Sequence, residues 1–432
     1  MPQTLSPYPN YKPSGIDWIG DIPEGWDLKK VSWSFSTIGS GTTPTADRKE
    51  YYENGTVNWL NTGDLNDGFI YETNKKINEE TPKLFSSLKT YPPESLVIAM
   101  YGATIGKIGL LKIETTVNQA CCVLAKSDIF DIKYVFYWFL GNKQNIVNMS
   151  SGGGQPNISQ EIVRNLRLTH PPQTTQTQIA DYLDDKTGKI DDLIAKKKQM
   201  ISLLKEERQA VINQAVTKGI DPNAKMKNSD IDWIGEIPDA WSVKKLKYAV
   251  TNIISKTKHE IKNLNPVMLE NIQSYTGQII PNSDSRVVEG DLLEFQIDDI
   301  LFSKLRPYLA KVSLAKEVNS CSGELLVLRP AREFNPKFLF WRLISSDFIN
   351  LVDSSTYGTK MPRASWSDFI SEIKFGKPTS LEEQIKIVEY IEQKTGKIDE
   401  TVSKIEKEIS LLQEYRTALI SEVVTGKVRV EG

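Results

Sequence analysis

Two short blocks of this chain occur twice, in the same order. Residues 16–26 read IDWIGDIPEGW and residues 231–241, 215 positions later, read IDWIGEIPDAW. They differ only at Asp21/Glu236, Glu24/Asp239 and Gly25/Ala240, and a Lys-Lys pair follows each closely. Residues 186–191 and 394–399, 208 positions apart, both read KTGKID. The match runs on through Leu203-Leu204 and Leu411-Leu412, Arg208 and Arg416, then Val216-Thr217 and Val424-Thr425. Self-similarity of this kind means that one structural unit is built more than once. A chain of 432 residues exceeds one ordinary domain. The duplication divides it into an N-terminal segment with a first variable domain (1–172), a first helical region (173–220), a second variable domain (221–378) and a second helical region (379–432).

The variable segments agree only weakly, as one fold carried by two diverged sequences. At a spacing of 204, Leu96-Val97-Ile98 faces Ile300-Leu301-Phe302 and Lys107 faces Lys311. At 206, residues 155–159 face residues 361–365. Apolar, β-branched runs punctuated by Gly and Asn predict strands at 56–60, 95–100, 119–124, 299–303 and 324–328. Single helices are expected over about 132–149 and 336–352. Each variable domain therefore reads as α+β.

In the helical regions apolar or long-stemmed residues recur every three or four positions. The first stripe includes Ile190, Ile194, Ile201 and Leu204, and the second Ile398, Val402, Ile409 and Leu412. That is a coiled-coil seam on otherwise charged helices. The nearly equivalent copies are each other's natural partners, packed antiparallel within one chain, with the two α+β domains held apart. Ser380-Leu381-Glu382-Glu383 reads as a capping box. Gly188 and Gly396 each cost about 1 kcal/mol in a helix interior relative to Ala, and each is expected to break its region into a short helix and a long one. Trp18, Trp26, Trp233 and Trp241 are expected to anchor the first pair of blocks, with Pro23 and Pro238 stopping helix formation.

Composition narrows the function. No apolar run is long enough to span a bilayer and the N-terminus lacks the apolar core of a signal peptide, so a cytoplasmic location is expected. Three cysteines (Cys121, Cys122, Cys321) and two histidines suit neither a disulfide framework nor a zinc site, and no metal or cofactor is expected. A Walker loop is missing because three residues, not four, separate Gly102 from Gly106-Lys107. The Pro-Pro pairs, Pro92-Pro93 and Pro171-Pro172, lack the Asn or Asp of a methyltransferase loop. No nucleophile elbow or zinc-protease His pair occurs, so no catalytic residue is assigned.

The net charge of −2 requires any nucleic-acid surface to be local. Residues 303–311 hold three cations and a Tyr, and 357–363 add Lys360 and Arg363 beside a Gly. Residues 101–107 and 151–157 are the corresponding loops of the first domain. Gly admits close backbone approach to phosphate, Lys and Arg neutralise it, and Asn, Gln and Arg make paired bonds to base edges. The candidate DNA-binding residues are Thr42, Thr104, Lys107, Gln155, Asn157, Lys304, Arg306, Tyr308, Lys311, Lys360 and Arg363.

The tandem IDWIG[DE]IP..W..KK blocks, the KTGKID helices ending in Val-Thr-Lys-Gly or Val-Thr-Gly-Lys, and residues 301–307 (LFSKLRP) together resemble the DNA-specificity subunit of type I restriction-modification enzymes over essentially the whole chain. The resemblance implies two target-recognition domains joined by an antiparallel helix pair, each reading half of a split, asymmetric DNA site. It further implies two methyltransferase subunits held by the repeated regions, and two motor-nuclease subunits in the restricting form. The alternative from another class is a coiled-coil interaction scaffold without DNA specificity.

Overall fold

The chain divides into two units, Met1–Lys197 with Lys407–Gly432, and Lys198–Glu406. The computed structural model describes residues 6–45, 47–150, 156–257, 266–280, 292–358 and 361–430.

The first unit holds a five-stranded sheet in the order Thr37–Gly39, Cys121–Ala125, Leu96–Ala99, Ile108–Leu111, Gly68–Ile70. Its neighbours are antiparallel except the last pair, which is parallel. The runs LVIA and CCVLA are buried at every position. Strands covered on both faces read as continuous apolar runs rather than alternating ones. The second unit holds four antiparallel strands in the order Val250–Ile253, Leu325–Pro330, Ile300–Ser303, Val312–Leu314. Ala99 pairs with Cys121 and Ser303 with Leu325, the same register 204 positions on. A smaller three-stranded sheet accompanies each.

The helix expected at 132–149 is two, α1 (Ile132–Gly141) and α2 (Lys143–Asn148). Between them Asn142 Nδ2 donates to the Trp138 carbonyl. The long helix of the first region is α3 (Gln173–Lys218), with 46 residues. The helix expected at 336–352 is likewise split, into α4 (Pro336–Ile344) and α5 (Ser346–Ser354), where Ser345 Oγ donates to the Arg342 carbonyl. Short polar side chains that bond back to the chain compete with the helical ladder. The 44-residue α6 (Leu381–Val424) is the second long helix.

Both α3 and α6 run unbroken through Gly188 and Gly396, against the expectation of a break. A loss of about 1 kcal/mol at one position is small beside the packing of buried Thr187, Ile190, Thr395 and Ile398 on either side, and helix propagation is cooperative. At 1.5 Å per residue α3 extends about 69 Å. Each long helix begins in one unit and ends in the other.

The helices pair antiparallel within each unit. In the first, Arg416 Nε and Nη2 bond the two oxygens of Asp191 at 2.9 and 3.0 Å, and Lys197 meets Glu408 at 2.5 Å. In the second, Arg208 Nε bonds Asp399 at 2.9 Å. The Asp of each KTGKID block is thus held by the Arg of the other copy. Ser380 Oγ accepts from the Glu383 amide, which is half of the expected capping box; the return bond goes to Thr379 rather than Ser380. The Glu383 carboxylate accepts from the Thr379 amide and from Trp241 Nε1.

The first pair of repeated blocks folds alike in both units. Asp21–Pro23 pairs antiparallel with Tyr11–Pro13, and Glu236–Pro238 with Met226–Asn228. Trp26 and Trp241 are buried. Each block receives a lysine from a helix end: Lys427 Nζ donates to the Asp21 carbonyl, and Lys218 Nζ to that of Glu236. The first unit is thereby closed by residues from both ends of the sequence, with a bridge between Ser6 and Arg429. A second ribbon, Asp27–Lys30 with Arg167–His170 and Ser242–Lys245 with Lys374–Lys377, connects block to domain in each unit. No helix among the described residues is long and apolar enough to cross a membrane.

Candidate nucleic-acid interface

Antiparallel register decides which loops meet. In the first unit the ends of Thr37–Gly39 and Leu96–Ala99 and the starts of Ile108–Leu111 and Cys121–Ala125 lie at one end of the sheet. The loops bearing Thr42, Thr104 and Lys107 leave there. Asn157 joins them: it bridges to Tyr101, Ile158 N donates to Met100 O at 2.7 Å, and Met100 N donates to Ala120 O at 2.8 Å. The second unit repeats every bond. Arg363 bridges to Leu305, Ala364 N donates to Lys304 O at 2.8 Å, and Lys304 N donates to Glu324 O at 3.3 Å. One backbone junction is therefore built twice and carries different side chains each time.

In the first unit Thr42 is half-buried and its carbonyl accepts from Trp59 Nε1 at 3.2 Å. Its neighbour Thr43 bonds Gln119 through Oγ1 at 2.5 Å. The Thr104 carbonyl closes a tight turn by accepting from Lys107 N at 2.9 Å. That turn ends on Gly106, whose φ of +74° is left-handed and where a Cβ would stand 2.5 Å from Val147 Cγ2. Lys107 is half-exposed, Asn157 is exposed, and Gln155 lies outside the described residues.

The second unit is more cationic. Arg306 and Ala310 bracket the Pro307–Leu309 turn at φ +49° and +45°. Left-handed backbone in a residue with a Cβ costs roughly 1–2 kcal/mol, and such strain gathers at functional sites. The turn leaves Tyr308 46% exposed. Lys311 is committed inward, donating through Nζ to the Leu269 carbonyl at 2.7 Å. Lys304 is half-exposed; desolvation, and then the neighbouring Arg363 charge, hold its ammonium below the ordinary lysine range. Exposed Arg363 stands 3.7 Å from Glu324. Lys360 lies outside the described residues. The structure thus gathers Lys304, Arg306 and Arg363 at one junction, and Thr104, Lys107 and Asn157 at the other, with Thr42 one strand further along.

The helix-packing residues fall into two grades. Ile190, Ile194, Ile398 and Ile409 are buried, and Ile201, Leu204, Val402 and Leu412 are half-buried. Among the described residues no cluster of three His, Cys, Asp or Glu side chains could hold a metal ion.

Residues 23–203 match the family model described as the type I restriction modification DNA specificity domain. The chain is 26% identical to the type I restriction enzyme MjaVIII specificity subunit of Methanocaldococcus jannaschii, over 95% of this chain and 94% of that one. Over most of its length this chain is similar to type I restriction enzyme specificity subunits. The Escherichia coli EcoDI specificity subunit is 24% identical over 68% of this chain and 70% of its own. In fold, the chain matches one from a structure of type I R-M complex assembly and conformational transition with a TM-score of 0.70, at 13% identity over 94% and 99% of the two chains. It matches the HsdS subunit of Thermoanaerobacter tengcongensis with a TM-score of 0.53, at 15% identity over 94% and 98%.

Sequence reasoning passed over two residues of the junction. Gln119 and Glu324 lie beside the named cations and threonines, on the segments that enter the second strand of each sheet. The same spacing of 204 that aligned the strands places Ala120 with Glu324, so the segment was detectable, though not its partners.

Proposed function

We propose that this chain is the DNA-reading subunit of a type I restriction-modification complex. Residues 1–172 and 221–378 each read one half of a split, asymmetric site, and regions 173–220 and 379–432 form the spacer and the dock for two methyltransferase subunits. Methyl transfer, ATP use and cleavage belong to the partners, including two motor-nuclease subunits in the restricting form, and the complex works in the cytoplasm. The observation that carries this reading is the doubled junction: identical backbone bonds at Tyr101/Asn157 and Leu305/Arg363, with different polar side chains displayed. A symmetric frame with unlike readers suits unlike half-sites.

At the second junction Arg306 and Arg363 are suited to paired bonds with guanine or phosphate, and Lys304 to phosphate. At the first, Asn157 suits adenine and Lys107 phosphate, with Thr42, Thr104 and Gln155 as neighbouring contacts. Tyr308, Lys311 and Lys360 complete the second set. Docking on the helices is supported by Leu203 and Leu411, equivalent positions that stay 57% and 53% exposed. Methylation mapping on DNA from cells carrying the whole system tests the reading. A two-part asymmetric site is expected; a continuous palindrome, or methyl transfer by the isolated chain, overturns it.

A further inference from the structure

Trp33 is 81% exposed and Tyr248 is 61% exposed. Scattered single exposed apolar residues need no explanation, but these two stand at the same place in the repeated frame, 215 positions apart. Each follows the second ribbon by a few residues, Trp33 on the short helix Val31–Ser34 and Tyr248 on the 3-10 turn Leu246–Tyr248. Their neighbours Val31 and Leu246 are buried and bond the Leu166 and Ile373 carbonyls in the same way. Backbone and anchor are thus conserved between the copies, while the aromatic ring points outward in both. Folding gains nothing from exposing an indole and a phenol at one repeated position.

Each ring carries a cation. Lys30 Nζ lies 5.6 Å from the Trp33 ring and Lys247 Nζ 5.4 Å from the Tyr248 ring. These lysines form a collar at each ring. The collars differ in charge compensation. In the second unit Lys245 and Lys247 both bond Glu372 at 2.6 Å. The first unit has Asn165 where the second has Glu372, and among the described residues Lys30 has no carboxylate partner.

We infer that Trp33 and Tyr248 are docking knobs for the two copies of the methyltransferase subunit, each ring entering an apolar pocket rimmed by carboxylates. The inference rests on the proposed function and adds to its helical dock one further contact for each methyltransferase subunit. The occupant is a protein because the rings stand on the repeated frame, away from the junction loops, and buried Trp and Tyr anchors dominate protein interfaces. It is present twice because the knob recurs in the frame rather than in the readers. Its rim is acidic because both collars are lysine, and the uncompensated first collar makes the Trp33 site the tighter.

The test uses the full chain with the methyltransferase subunit of the same system, followed by native mass spectrometry and binding isotherms. Trp33→Ala is expected to weaken one of two methyltransferase sites by at least about 30-fold, the loss typical of an interface hot spot. Tyr248→Ala is expected to weaken the other by less. The double variant should weaken both sites while keeping its circular dichroism and melting temperature, and Trp33→Tyr should recover most of the binding. A photoreactive phenylalanine at 33 or 248 should cross-link to methyltransferase. A folded double variant that still takes up two methyltransferases with wild-type affinity overturns the knobs and leaves the DNA-reading role standing. So does one that keeps both partners but loses DNA affinity, which would assign the rings to nucleic acid. Failure of the unaltered chain to bind methyltransferase overturns the proposed function itself.

Discussion

Lys304 shows how one side chain's surroundings set its use. Partial burial and the Arg363 charge hold its ammonium below the ordinary lysine range, near pH 10.4, and a phosphate would reverse that by supplying the missing counter-charge. Protonation is needed for the contact, so DNA affinity should fall as pH rises through the lowered value, earlier than for an ordinary lysine. Fluorescence anisotropy with DNA, followed as the pH is raised toward the ordinary lysine range, should show that decline in the wild type. Lys304→Arg should remove it, because a guanidinium stays charged throughout; an equal decline in both proteins would remove Lys304 from the contact. The cysteines make the opposite case. Cys121, Cys122 and Cys321 are buried, and burial pushes all three thiols up, Cys122 and Cys321 to about 12. A thiol reagent should label the native protein slowly and find three equivalents only after unfolding in guanidinium. Rapid native labelling of even one would contradict the burial.

At the scale of elements, the long helices carry two separable quantities. Gly188 and Gly396 sit in helical backbone where an added Cβ would meet nothing within 4 Å. Replacing either by Ala should stabilise the protein by roughly 0.5–1 kcal/mol, read as a higher denaturation midpoint at an unchanged slope. A loss of stability would mean that the helix is not continuous there. The reciprocal Arg–Asp pairs are unequal. The Arg208 side chain is 8% exposed and also donates to the Tyr275 carbonyl at 3.0 Å, whereas that of Arg416 is 23% exposed. Arg208→Ala removes a largely buried guanidinium with its bonds to Asp399 and the Tyr275 carbonyl and should cost about 1–2 kcal/mol. Arg416→Ala should cost less, and equal losses in thermal unfolding would count against burial as the difference. The seam itself was legible in sequence, because a helix exposes its period directly. The breaks at Asn142 and Ser345 were not, since any Asn or Ser in a helix has the option of bonding back to the chain and only packing decides which does.

The whole molecule has a closure that no single element displays. The first repeated block is completed by the far end of the sequence: Lys427 reaches the Asp21 carbonyl, and Gly426, at φ +75°, abuts Pro23 and Trp26 so closely that a Cβ would stand 2.4 Å from Pro23. The second block receives the same support from Lys218, which is nearby in sequence. Truncation after Val424 should therefore lower hydrogen-exchange protection in residues 6–30 and leave residues 226–245 unchanged. Loss of protection in both blocks, or in neither, would refute this division.

Sequence alone determined the duplication, the α+β character of both domains, the helical seam and the family resemblance. All of these rest on local periodicity or on identity between the two copies, which need no knowledge of the fold. Tertiary structure decided which residues meet. Thr104 and Asn157, or Lys304 and Arg363, lie more than fifty positions apart and share a site only because antiparallel strands bring their ends to one edge. It also decided that Lys311 is spent inward on a carbonyl while Trp33 and Tyr248 face out. Side-chain direction at a turn depends on what the neighbouring segment already fills, and the sequence of the turn does not contain that segment.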